Sequence, residues 1–178
     1  MKRIQFILFF SLLTSIHTAS GASWLRGNWG DADKNPELWN CPLWVIDLVE
    51  KKNFDKKYKF ISRLNPFYLR GDFNGDNKLD IAVFIEELSS KKQGIAILNY
   101  GSEDIFVVGA GKNIRVGGDD FSWMDIWSVR REGPVERGVE EGTPPLLKGE
   151  AINVGKSESS SAIIYWTGSK YDWYHQGD

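Results

Sequence analysis

The sequence predicts an α+β protein: a mainly antiparallel β-sheet of roughly six to eight strands with one N-terminal helix packed on it. Three observations carry this. Short runs rich in β-branched and aromatic residues recur from Lys59 to Tyr174, each bounded by turn-forming residues. One stretch, Trp39–Lys52, combines helical spacing of apolar residues with helix-terminus chemistry. No unit of about 20–50 residues repeats, which argues against a propeller or solenoid built from this chain alone. A two-sheet β-sandwich is the rival arrangement.

Residues 1–22 read as an export signal. Lys2 and Arg3 form a basic start, Ile4 to Leu13 is almost wholly apolar, and Ala19, Ser20, Gly21 and Ala22 are small. Cleavage is expected after Gly21 or Ala22. The apolar run is shorter than the roughly 20 residues a spanning helix needs. The mature chain is therefore expected to have no transmembrane segment and to be extracytoplasmic, periplasmic or secreted. Residues 23–178 remain as a single globular domain, long enough to bury a real core. Without Lys2 and Arg3 the balance is 20 basic against 24 acidic residues, a net charge of −4. Such a chain has no electrostatic footprint for nucleic acid. Its aromatic content, 13%, is too high for a disordered chain. Cys41 is the single cysteine and cannot form an internal disulfide. Trp39, Pro42 and Trp44 around it suggest a buried thiol acting as a small apolar residue.

Taken in order, Ser23–Pro36 is rich in Gly, Asp and Asn and reads as irregular. Asp31, Asp33 and Asn35 have the one-three-five spacing of an oxygen loop, but they lack a turn glycine and Pro36 follows; a helix start or solvated loop fits better. In the helix, Asn40 suits the N-cap and Pro42 the first turn, where no N–H partner is needed. Leu43, Ile46 and Val49 share a face adjoined by Trp44 and Leu48, and Lys51 and Lys52 suit the negative end of the dipole. Phe60–Leu64 starts a strand, and Phe67–Arg70 and Asp80–Glu87 are two more. Gly94–Asn99, Ile105–Val108, Met124–Val129 and Glu150–Val154 follow. Gly109-Ala110-Gly111 reads as a turn or bulge. Residues 131–149, acidic and broken by Gly and Pro, read as a long exposed loop. Ala162–Thr167 and Lys170–Tyr174 form a hairpin across Gly168-Ser169, and His175–Asp178 reads as a frayed end.

The stretch with the most chemistry is Gly71-Asp72-Phe73-Asn74-Gly75-Asp76-Asn77-Lys78-Leu79-Asp80. Oxygen-bearing side chains fall at loop positions 1, 3, 5 and 9: Asp72, Asn74, Asp76 and Asp80. A hard cation such as Ca²⁺ takes six to eight oxygens at about 2.3–2.6 Å, and alternate residues of a curled loop can supply them. Lys78, at position 7, would give its backbone carbonyl. Position 6, which needs a sharp turn, is Asn77, a residue type tolerant of positive φ. Three carboxylates curled together repel unless a cation or protons neutralise them. An EF-hand needs a Glu at position 12, and that position is Val83. The run from Gly71 to Val83, with strands on both sides, resembles the calcium loop of FG-GAP and VCBS repeats, which belong to extracellular β-propellers. The resemblance covers roughly 15 residues in a single copy. It implies calcium at Asp72, Asn74, Asp76, Lys78 (carbonyl) and Asp80; it implies neither a propeller nor an activity. An Asx-rich hairpin turn held by its own side chain–backbone hydrogen bonds is the other reading. The overall pattern is also similar to small exported bacterial proteins, which adds only a compartment.

Other chemistries fit less well. Around Gly109-Ala110-Gly111, Ile114 stands where a dinucleotide loop needs its third glycine, and Phe106 and Asn113 break a phosphate-loop pattern. The mature chain has one histidine, His175, and no Gly-x-Ser-x-Gly, so it lacks the parts of a Ser–His or zinc enzyme. Glu86, Glu87, Asp119, Asp120 and Asp125 could supply an acid/base pair for glycoside hydrolysis, which depends on a separation of roughly 5–9.5 Å. The eight tryptophans are many for this length: Trp24, Trp29, Trp39, Trp44, Trp123, Trp127, Trp166 and Trp173. The richest aromatic patch is the C-terminal hairpin: Tyr165, Trp166, Tyr171, Trp173 and Tyr174. It can serve as core or as a surface for a protein or glycan, with alternation splitting it between two faces. The expectation is an exported, non-catalytic binding or inhibitor-like module with a calcium-stabilised hairpin loop. The alternative is a carboxylate-dependent hydrolase, such as a glycan-cleaving enzyme.

Overall fold

The computed structural model describes residues 41–139 and 143–177. The expected export signal, the Ser23–Pro36 stretch, Trp24, Trp29, Trp39 and the Asn40 cap lie outside the described residues, as do residues 140–142 and Asp178.

A helix, α1 (Leu43–Lys51), is followed by a 3₁₀ turn at Phe54–Lys56 and by nine strands. These are β1 (Tyr58–Phe60), β2 (Tyr68–Gly71), β3 (Asp80–Glu87), β4 (Gln93–Leu98), β5 (Ile105–Gly109), β6 (Ile126–Arg130), β7 (Ala151–Lys156), β8 (Ser160–Trp166) and β9 (Tyr171–Gly177). They form two antiparallel sheets. In the first, β1 and β2 pair with successive halves of one edge of β3, and β4 and β5 follow on its other side. The second has the order β6-β7-β8-β9. Among the described residues the expected mainly antiparallel architecture with one helix on it holds, and the strands divide into two facing sheets as a sandwich would.

Burial follows from strand alternation. Ala82, Phe84, Ile95, Ile97 and Leu69 of the first sheet meet Trp127, Ile152, Val154, Ile164 and Trp173 of the second in one central core. The opposite face of the first sheet, with Ile81, Val83, Ile85 and Leu98, is covered by α1. Both faces of β3 are therefore buried, which is why its sequence is a continuous apolar run rather than an alternating one. The outer face of the second sheet is partly covered by the long loop, where Val135 and Leu147 pack on Ala151, Ile163 and Tyr174. No helix among the described residues is long and apolar enough to cross a membrane.

Three local expectations are corrected. The buried face of α1 is Val45, Leu48 and Val49, while Leu43 is 71% exposed. Leu43-Trp44-Val45-Ile46 is all apolar, so periodicity alone does not fix the rotation of the first turn. The helix begins after Pro42 without a side-chain cap. Finally, His175–Gly177 is not frayed: it continues β9, pairing with the start of β8 across a bulge at Ser161/Ala162.

Candidate functional site

The loop between β2 and β3 is anchored at both ends by pairing: Gly71 lies opposite Asp80 in the ladder. It is anchored in the middle by Phe73, whose ring is fully buried in the core between the sheets. Full burial of such a side chain contributes about 1.5–3 kcal/mol. Phe73 therefore pulls its two polar neighbours, Asp72 and Asn74, into a tight curl.

The curl is closed by side chain–backbone hydrogen bonds. Asp72 Oδ1 accepts from the N–H groups of Gly75 (2.7 Å) and Asp76 (2.9 Å), and its Oδ2 accepts from Asn77 N–H (2.8 Å). Asn74 Oδ1 accepts from Asp76 N–H at 3.0 Å. Asp76 Oδ1 accepts from Lys78 N–H at 2.9 Å, and the Lys78 ammonium lies 3.4 Å from Asp76 Oδ2. Asn77 has φ +64°, as a sharp turn at position 6 requires.

Asp80 stands apart from the other three. It is fully buried at the first position of β3. Its Oδ2 accepts from Phe73 N–H at 2.9 Å and its Oδ1 from Tyr100 N–H at 2.8 Å. Burial pushes its carboxyl up to about 6; those N–H groups oppose the shift, and the charge of Asp76 adds to it. Asn99, the residue before Tyr100, is also buried, and its Oδ1 accepts the Tyr171 hydroxyl at 2.7 Å. Burial, then the charge of Asp80, drives the Tyr171 phenol well above its ordinary value.

The loop also touches the second sheet, which the sequence does not reveal. Glu150 Oε2 accepts from Asp72 N–H at 2.9 Å, and Glu150 N–H donates to Asp72 O at 2.7 Å. Gly75, at φ +76°, lies against the backbone of Lys148: a Cβ there would stand 1.6 Å from the Lys148 carbonyl oxygen. Residues 148–150, just before β7, are thus the seat of the loop.

Whether the residues suit a cation follows from this geometry. Among the described residues, no three Asp, Glu, His or Cys side chains converge closely enough to hold a metal. The carboxylates of Asp72 and Asp80 are held by N–H groups instead. A carboxylate offers about four acceptor sites. Asp72, with three donors, keeps one, while Asp80, with two, keeps two. The loop thus gathers oxygen-bearing side chains in one curl, but N–H groups occupy most of the carboxylate positions of Asp72 and the carboxylates are not drawn together around one point.

The acids considered for hydrolysis are engaged elsewhere. Glu86 pairs with Lys59 at 3.0 Å, Glu87 with Lys57 at 3.4 Å, and Asp119 with Lys92. Asp120 accepts from the N–H groups of Gln93 and Ser122, and Asp125 from Ser157 N–H. The Ser90 hydroxyl, helped by Lys57, holds Glu87 below its ordinary value. For Asp120, burial acts upward but the N–H groups of Gln93 and Ser122 win, and it too is lowered. A general acid needs the opposite shift.

The aromatic hairpin is largely interior. Tyr171 and Trp173 lie in the core between the sheets, and Tyr174 lies under the long loop, with Gly138 N–H donating to its hydroxyl at 3.1 Å. Trp166 is half-buried against Phe106 and Tyr171, with ring centroids 5.2 and 4.9 Å away. Tyr165 is half-buried beside Tyr174. As a ligand surface, the hairpin thus offers little exposed aromatic area. No protein-family model, curated protein or solved structure matches the chain.

Proposed function

We propose that this is an exported, non-catalytic binding module whose Asp72–Asp80 loop takes a structural Ca²⁺ ion. The observation that carries the reading is the placement of Asp72, Asn74 and Asp76 in one curl beside the fully buried carboxylate of Asp80. Asp72, Asn74, Asp76, the Lys78 carbonyl and Asp80 would hold the ion. Calcium would supply the positive charge needed to draw the three carboxylates toward one point, in place of some of the N–H groups that hold them in its absence. Because the loop is seated on residues 148–150 and linked through Tyr100 and Asn99 to Tyr171, ordering it orders the contact between the two sheets. The engaged state of Glu86, Glu87, Asp119, Asp120 and Asp125 favours a binding role over hydrolysis.

Calorimetric titration of calcium-stripped protein with CaCl₂ tests the loop. Extracellular modules bind with dissociation constants of about 10⁻⁴–10⁻³ M. One site in that range, lost in Asp76→Ala, is expected. Absence of a heat of binding up to several millimolar would leave an Asx turn. Asp76 suits this test because its carboxylate contacts only Lys78 within the loop.

A further inference from the structure

We propose that the free edge of β2 takes up an extended acidic peptide segment by strand addition, with one acidic side chain set opposite Arg70 and an apolar one on either side of it. The proposal rests on the binding-module reading above and names its surface and partner class.

β2 is paired on one side only. Its ladder runs along β3, and among the described residues no strand pairs with its other edge. The direction of its main-chain groups follows from Asp72. The Asp72 N–H donates to Glu150 Oε2 at 2.9 Å, and Asp72 O accepts from Glu150 N–H at 2.7 Å, so both groups point away from β3. Main-chain groups alternate in direction along a strand. Those of Gly71 therefore turn to Asp80, and the N–H and C=O of Arg70 turn outward as those of Asp72 do. The edge is bounded at both ends. Glu150 covers it at Asp72, and before Tyr68 the Trp127 indole N–H donates to Pro66 O at 2.9 Å and ties the chain to β6. Residues 67–71 lie between, which seats about five residues of an added strand.

Beside this edge runs a groove of about 610 Å³, lined by residues 65–70 and by Ser128 and Val129 of β6. Two features select its occupant. The first is the outward main-chain N–H and C=O of Arg70, which a peptide backbone matches with one donor and one acceptor per residue. Strand addition to a sheet edge uses these groups for affinity and alternate side chains for specificity.

The second feature is how charge and apolar surface divide between two faces. Leu69 points into the core between the sheets, so Tyr68 and Arg70 point to the other face, where Tyr68 packs on the α1 side. Arg70 is exposed and is the only charged residue in the lining. Its guanidinium has no partner among the described residues. In an added strand, the side chain directly opposite Arg70 shares its face, and an acidic one there makes a cross-strand ion pair. The two neighbouring side chains fall on the other face, toward the second sheet, where half-buried Val129 forms the groove wall. Phe67, 54% exposed, adds apolar surface to the same groove. The occupant is thus an extended segment that reads apolar, acidic, apolar.

The test is a titration of ¹⁵N-labelled protein with the peptide acetyl-Ser-Val-Glu-Val-Ser-amide, followed by amide shifts. Two further peptides run in parallel: one with Lys in place of Glu, and the first peptide N-methylated at its three central residues. Shifts confined to residues 67–71 and 126–130 are expected with the Glu peptide at up to several millimolar, and none with the methylated one. Arg70→Glu, on an exposed side chain, sets like charges opposite each other. It should weaken the Glu peptide about tenfold or more and strengthen the Lys peptide. Shifts elsewhere, equal binding of the Glu and Lys peptides, binding of the methylated peptide, or an Arg70→Glu protein that still prefers Glu would overturn the proposal. Silence with all three peptides would overturn it too, while the calcium titration would still decide the loop.

Discussion

Tyr171 Oη donates to Asn99 Oδ1 at 2.7 Å, with both residues buried where the two sheets meet. Asn99 precedes Tyr100, whose N–H binds Asp80, so one short polar chain runs from the acidic loop to β9. Removing the phenol oxygen strands a buried acceptor, which costs about 1–3 kcal/mol. Tyr171→Phe is expected to lose that much stability in urea unfolding at constant m-value. Stability equal to that of the parent protein would show that Asn99 finds another partner.

Asp80 predicts a pH dependence in calcium-free protein. Its folded-state carboxyl is pushed up to about 6 from an ordinary value of 3.8. A raised pKa means that the folded state holds the proton more tightly than the unfolded chain. The associated stability is fully present below about 3.8 and is lost as pH rises through about 6. The difference between about 6 and 3.8 corresponds to roughly 3 kcal/mol at most. Urea unfolding from pH 4 to 7 should therefore show a falling contribution in the parent protein that is absent in Asp80→Asn. Calcium should shrink it, because a bound cation favours the ionised carboxyl. Parallel pH profiles for the two proteins would rule out a perturbed Asp80.

Gly75 is where the loop meets the other sheet most closely. Gly75→Ala combines a left-handed backbone, costing about 1–2 kcal/mol, with overlap against the Lys148 carbonyl. Overpacking adds about 1–3 kcal/mol. A loss of about 2–5 kcal/mol is expected in denaturant unfolding. Gly101→Ala is the control: its φ is +83°, and the would-be Cβ meets only the Lys78 ammonium, at an ordinary 3.7 Å. Equal losses at both positions would mean that the Lys148 contact carries no energy.

Cys41 is buried beneath α1, and burial pushes its thiol up to about 11. The thiolate is the reactive species. In native protein at pH 8, labelling by a maleimide should be slower than in urea by orders of magnitude. Fast labelling of folded protein would place the thiol at the surface.

Much of this was legible in the sequence, and the exceptions have physical causes. β3 was readable end to end because an Asp-rich loop and a polar turn bracket an unbroken apolar run. The loop residues Asp72, Asn74 and Asp76 were readable from alternate spacing, and the structure brings them into one curl. Asp80 has the right spacing too, yet it is turned inward onto Phe73 and Tyr100. The apolar Phe73 inside a polar loop was the available signal for that. Glu150, Lys148 and Asn99 were not readable, because contacts across 20 to 80 residues leave no local pattern. The hairpin aromatics alternate as expected, with Trp166 on the inner face and Tyr165 on the outer. What hides Tyr174 is the 131–149 loop, whose Gly/Pro-rich sequence carries no period to show where it packs.

The most direct measurement is thermal unfolding of the protein in EGTA and then in rising calcium, with Asp76→Ala alongside. At one hundred times its dissociation constant, an ion bound only by the folded state adds about 2.7 kcal/mol. For a domain of this size that raises the midpoint by about 5–10 °C. The account predicts such a rise in the parent protein and none in Asp76→Ala. A midpoint that ignores calcium in both proteins would contradict it and leave the Asp72–Asp80 loop as a turn held by its own hydrogen bonds.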